Sequence, residues 1–121
     1  MLALPAAGCG GDDDESEDRP ALQADLVVIV RPEGPDSPAQ RRTIRCERLG
    51  AGSRVCRGLA GLQPEQLDPV PPDVACTQVY GGPATARVRG ELRGQSVDAR
   101  FNRTDGCQIE RWDRNRVLLG D

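Results

Sequence analysis

With Cys9 near the start set aside, four of the five cysteines punctuate the chain at Cys46, Cys56, Cys76 and Cys107, separated by 10, 20 and 31 residues. Of 121 residues only Tyr80, Phe101 and Trp112 are aromatic, so any core is short of the large side chains that bury most apolar area. These four, an even number in so aromatic-poor a chain, read as a disulfide framework suited to an oxidising compartment. Each bridge would remove ~2 to 4 kcal/mol of chain freedom from the unfolded state. The spacings alone leave all three pairings open. A zinc site with four thiolate ligands would want short Cys-x-x-Cys knuckles, which this spacing does not offer. Neither a metal nor a cofactor is expected.

Composition narrows the chemistry further. The chain has no His and no Lys, and its 16 cations are all Arg. Ser-His-Asp, Cys-His and His-ligated metal sites are therefore excluded. Three aromatics cannot build stacking platforms for single strands or a flavin or haem pocket. The expectation is a protein that is not an enzyme. The acids are concentrated at one end: residues 1–20 hold six acids and one Arg, leaving 13 acids against 15 Arg in the remainder. A nearly neutral body carries no basic stripe for a polyanion, so no nucleic acid is expected as partner.

The length fits one domain of ~100 residues plus a tail. Residues 1–23 read as the tail and residues 24–121 as the domain. Met1 to Cys9 (MLALPAAGC) ends in small residues before a cysteine and resembles the end of a bacterial lipoprotein signal, which makes Cys9 the candidate lipidation site. The run GGDDDESED that follows cannot bury anything and repels itself, as a solvated tether does. It lacks the glycine-punctuated spacing of a calcium loop. No stretch approaches the ~18 apolar residues of a membrane span, so a lipid on Cys9 is the one membrane attachment expected.

Within the domain, Asp25–Val30 (DLVVIV) reads as a central strand buried on both faces, ended by Pro32 and a breaker-rich stretch to Pro38. Residues 41–49 read as its partly exposed antiparallel partner, with Ile44 and Cys46 on one side. Val55, Leu59 and Leu62 have helical spacing, and Pro64 opens a second short turn. The stretch DPVPPD from Asp68 to Asp73 is a loop held extended by its prolines. In TARVRGEL-RG-QSVDARFN, a two-residue turn at Arg93-Gly94 brings Val88 opposite Ala99 and Ala86 opposite Phe101. It also sets Arg89 opposite Asp98, and Arg87 opposite Arg100. Asp105 reads as the cap of a short helix with Gln108 three residues on, burying Ile109 and Trp112. Val117–Leu119 reads as a last short strand.

The run Cys76-Thr-Gln-Val-Tyr80-Gly-Gly-Pro83, the hairpin, and then Arg103-Thr-Asp-Gly-Cys107-Gln-Ile-Glu-Arg-Trp112 resemble the carboxy-terminal half of the subtilisin inhibitor-like family. These are the extracellular serine protease inhibitors of streptomycetes and their relatives. The resemblance implies an α+β fold: a five-stranded antiparallel β-sheet with two short α-helices on one face. It also implies two disulfides, Cys46 to Cys56 and Cys76 to Cys107, and a homodimer. It places the reactive loop at Ala75, Cys76, Thr77, Gln78, Val79 and Tyr80, with Gln78 as P1 and Gln78–Val79 as the bond offered to a subtilisin- or trypsin-like serine protease.

The implied function is inhibition by substrate-like binding of a rigid loop, in a protein that is secreted or lipid-anchored outside the cell. A rival from another class is a non-inhibitory envelope lipoprotein that uses the same fold as a scaffold. Two smaller signals read as incidental. Asn102-Arg-Thr104 fits the N-glycosylation pattern by chance, and the facing Arg87 and Arg100 read as solvated charges rather than an anion site.

Overall fold

The computed structural model describes residues 21–120, so Cys9 and the whole acidic run GGDDDESED lie outside the described residues. Four strands and three helices follow one another: β1 (Ala24–Arg31), β2 (Gln40–Cys46), α1 (Arg54–Gly58), β3 (Thr85–Leu92), β4 (Gln95–Phe101), α2 (Gly106–Arg114) and α3 (Arg116–Leu119). A single 3₁₀ turn, Pro64–Leu67, sits between α1 and β3. The strands form one antiparallel sheet in the order β2-β1-β3-β4.

The fold is therefore α+β, but its sheet has four strands among the described residues, not five. The strand expected at Val117–Leu119 is the helix α3. Leu118 and Leu119 are adjacent and both buried. A strand would send them to opposite faces, whereas a helical turn can keep both against the core. Their N–H groups both donate to the Asn115 carbonyl, at 3.0 and 2.9 Å, and Arg42 of β2 donates to the Val117 and Leu118 carbonyls.

The period-2 pattern of β1 sends Ala24, Leu26 and Val28 into the core. Its other face is only half-buried at Val27 and Ile29, so β1 is central in the sheet but not buried on both faces. The β3–β4 hairpin has the expected register, with Val88 opposite Ala99 and Ala86 opposite Phe101. Its turn residues Arg93 and Gly94 both have positive φ, 51° and 81°, as a two-residue hairpin matched to strand twist requires. Asp98 lies opposite Arg89 but bonds Arg87, at 2.9 and 2.8 Å. A long side chain reaches the diagonal position, and the bidentate pair offsets the repulsion between Arg87 and Arg100.

Gly90 faces inward at φ 137°, where a Cβ would fall 2.1 Å from the Asp25 carbonyl oxygen, so close β1–β3 pairing depends on glycine. On the inner face, Trp112, Leu118, Leu119, Cys56 and Leu59 close the core. Ile109, expected inside, is half-buried. Gln23, just ahead of β1, is tied in by hydrogen bonds to Cys46, Leu49 and Arg93.

Candidate functional site

The sulfurs pair Cys46 with Cys56 and Cys76 with Cys107, the connectivity that the family resemblance implies. The two bridges have different surroundings. Cys46 and Cys56 are 1% and 4% exposed and weld the end of β2 to α1, whose first turn is capped by the Ser53 hydroxyl accepting from Cys56 N–H. Cys76 and Cys107 are half-buried, and they attach an irregular segment to the first turn of α2.

That segment, residues 75–80, forms no helix or strand. Ala75, Thr77, Gln78, Val79 and Tyr80 are all exposed, Val79 to 55% and Tyr80 to 66%. With Val74 and Val117, Val79 and Tyr80 are the large apolar side chains left exposed among the described residues. Among the described residues no backbone hydrogen bond is made by Gln78, Val79 or Tyr80. The Gln78 side chain reaches only its own loop, donating to the Cys76 carbonyl at 3.4 Å.

The flanks, by contrast, are tied down. Upstream, Val74 N–H closes a turn on the Pro71 carbonyl at 3.3 Å, within the proline-rich stretch. At the centre, Gly106 N–H donates to the Thr77 carbonyl at 2.9 Å. This approach is so close that a Cβ on Gly106 would lie 2.0 Å from Thr77 Oγ1. Asp105 caps the same helix by accepting from Gln108 N–H at 3.0 Å.

Downstream, Gly81 and Arg103 bond reciprocally. Gly81 N–H donates to the Arg103 carbonyl at 2.7 Å, and Arg103 Nε donates to the Gly81 carbonyl at 3.1 Å. Arg103 is itself placed by Asp113 and by the Trp112 ring 5.5 Å beneath it. Asp113 is held below the usual carboxylate range, first by its bond from Arg116 and then by Arg103.

A second arginine secures the start of the loop. Arg111 on α2 is 3% exposed, with its guanidinium 4.0 Å over the Phe101 ring. It donates to the carbonyls of Leu67, Asp68 and Arg100 at 2.7, 2.8 and 2.7 Å. Burial, with the like charge of Arg114 behind it, pushes this group below its ordinary value. Neither Arg103 nor Arg111 stands out in the sequence, because an arginine on a short helix or strand end reads as a solvated charge.

Ligand atoms of Cys76, Asp105 and Cys107 lie within 4.8 Å of one another. Two of them are the sulfurs of a disulfide, which leaves a single carboxylate and no thiolate to hold an ion. Among the described residues, no helix is long and apolar enough to cross a membrane. Comparison with family models, with curated proteins and with solved structures finds no match to this chain.

Proposed function

We propose that the protein is an extracellular serine protease inhibitor of the subtilisin inhibitor-like kind, with Ala75 to Tyr80 as its reactive loop and Gln78–Val79 as the bond it offers. The observation that carries the reading is an exposed segment whose residues 78–80 make no backbone–backbone hydrogen bond, anchored on both sides. A protease binds its substrate as an added strand, drawing affinity from main-chain hydrogen bonds and specificity from side-chain pockets. Gln78, Val79 and Tyr80 are exposed and make no backbone–backbone hydrogen bond among the described residues, which leaves their main chain open to such pairing.

Rigidity separates an inhibitor from a substrate. A loop ordered in advance loses little freedom on binding, and after attack its new ends stay in place. Three ties supply this: the Cys76–Cys107 bridge two residues before the bond, the Gly106–Thr77 hydrogen bond next to Gln78, and the Gly81–Arg103 pair two residues after Val79. The chain contributes no catalytic group of its own. Gln78 at P1 is polar and uncharged, neither the large apolar side chain of a subtilisin-type pocket nor the cation of a trypsin-type one, so a panel of proteases must include both kinds. The two disulfides suit an oxidising compartment.

The test is to incubate the purified protein with a panel of subtilisin- and trypsin-like proteases. The expected outcome is tight inhibition with slow cleavage confined to Gln78–Val79. Cys76→Ser should turn the inhibitor into a substrate that is cut rapidly, while Cys46–Cys56 keeps the sheet closed. Fast degradation elsewhere, or indifference across the panel, would favour the non-inhibitory envelope scaffold.

A further inference from the structure

The cross-strand register sorts the side chains of the sheet onto two faces, and Cys56, Trp112 and Leu118 bring all three helices to the inner one. Six arginines belong to the outer face: Arg31, Arg41, Arg45, Arg87, Arg89 and Arg100. They share it with three acids, Asp25, Glu91 and Asp98. A chain that is nearly neutral beyond residue 20 thus gathers an excess of positive charge on one surface.

The excess is uneven along the strands. Asp25 and Glu91 lie opposite each other at the end where β1 begins. Further along, Arg41, Ile29, Arg87 and Arg100 form one row across β2, β1, β3 and β4, with Arg31 and Arg89 in the rows beside it. Arg87 is held by Asp98, and Arg45 lies 3.6 Å from Asp25. Arg41, Arg89 and Arg100 are exposed and make no ion pair among the described residues. Like charges directly across a sheet are destabilising, and an anion laid over them would offset that.

We propose that the acidic run of residues 12–18 of the same chain docks across this row, its carboxylates meeting Arg41 and Arg100. The run reads DDDESED, six acids in seven residues. Reach and tethering select it over other acidic partners. Ile29 lies ~17 Å along β1 from Ala24 at the usual strand rise. The run precedes Ala24 by 6 to 12 residues, so fully extended it spans from ~20 to ~40 Å and can double back over the face. Residues 19–23 between them, RPALQ, bring no acid past Asp25 and Glu91. A tethered segment also acts at an effective concentration in the ~millimolar range, above that of a free acidic chain in dilute solution. None of these residues belongs to the reactive loop, and the assignment does not depend on the inhibitor reading.

With four of the five cysteines bridged, a nitroxide reagent labels Cys9 alone, three residues before the run. Amide signals of the isotope-labelled full chain are recorded with the nitroxide intact and then quenched. At about 20 mM salt, where screening is weak, Ile29, Arg87 and Arg100 should lose at least about half their intensity while Trp112 and Leu118 keep theirs. At about 1 M salt the loss should vanish, because charges are then screened within ~3 Å. Replacing all six acids of the run by their amides should abolish it, and Arg41→Gln with Arg100→Gln should reduce it about twofold. Both arginine positions are exposed, so neither change endangers the fold. No loss at low salt, a loss that survives the amide run, or one shared equally with Trp112 and Leu118 would overturn the assignment. So would a loss that fades on dilution, which would place the run on a second copy.

Discussion

Arg111 shows how one residue can carry more of the architecture than its type suggests. Its guanidinium joins the 3₁₀ turn, the start of the proline-rich loop and β4 through three carbonyl oxygens, and it lies over Phe101. Arg111→Met keeps much of the volume but leaves those acceptors without their donor, at a cost of about 3 kcal/mol in unfolding free energy measured with urea. The loop ahead of Cys76 should loosen in parallel, so hydrogen exchange at Val74 should quicken. A neutral effect on the urea midpoint would show that water replaces the guanidinium. Nothing in the sequence distinguishes this arginine from the solvated Arg114 one turn away, because the difference lies in which carbonyls the loop brings beneath it. Gly106 is similarly opaque: its need for a bare Cα arises from Thr77, far away in the chain.

Among the elements, the β3–β4 hairpin was legible because every signal in it is local. A two-residue turn, period-2 alternation and cross-strand matching all select one register. Within the strands themselves, Gly90 is the described residue with positive φ, and Gly90→Ala should cost about 3 kcal/mol or more, since the new Cβ meets β1 backbone rather than a movable side chain. Thermal unfolding should show it, with the β1–β3 amides losing most of their exchange protection. What failed was the short apolar run Val117–Leu119, which strand and helix accommodate equally well until tertiary partners choose. Here the choice rests on the Asn115 carbonyl and on Arg42, neither of which a local pattern reveals. The loss of this strand accounts for the difference between five strands and four. The disulfide pairing likewise came from the resemblance rather than from spacing, which left three connectivities open.

For the whole molecule, the absence of histidine sets the pH response. Histidine is the side chain whose ordinary pKa lies nearest neutrality and the chain has none, so stability should be flat from about pH 5 to 8. Asp98 and Asp113 are both held below the ordinary value, Asp98 chiefly by the bond from Arg87 and Asp113 chiefly by that from Arg116. A carboxylate with a lowered folded pKa stabilises fully above its unfolded value of ~3.9, and that stability is lost as pH falls through the folded value. Urea midpoints should therefore decline only below about pH 4, and a step near pH 6.5 would contradict this assignment. The sheet order has a consequence for a molecule severed between residues 78 and 79. One piece would own β2 and β1, the other β3, β4 and the terminal helices, with the boundary running between the two innermost strands. Those strands are zipped from Ala24–Leu92 to Arg31–Thr85, and a sulfur bridge from residue 76 to residue 107 spans the same divide. A nick would thus create a two-chain protein that cannot come apart, in which the severed ends remain neighbours and resealing needs no search.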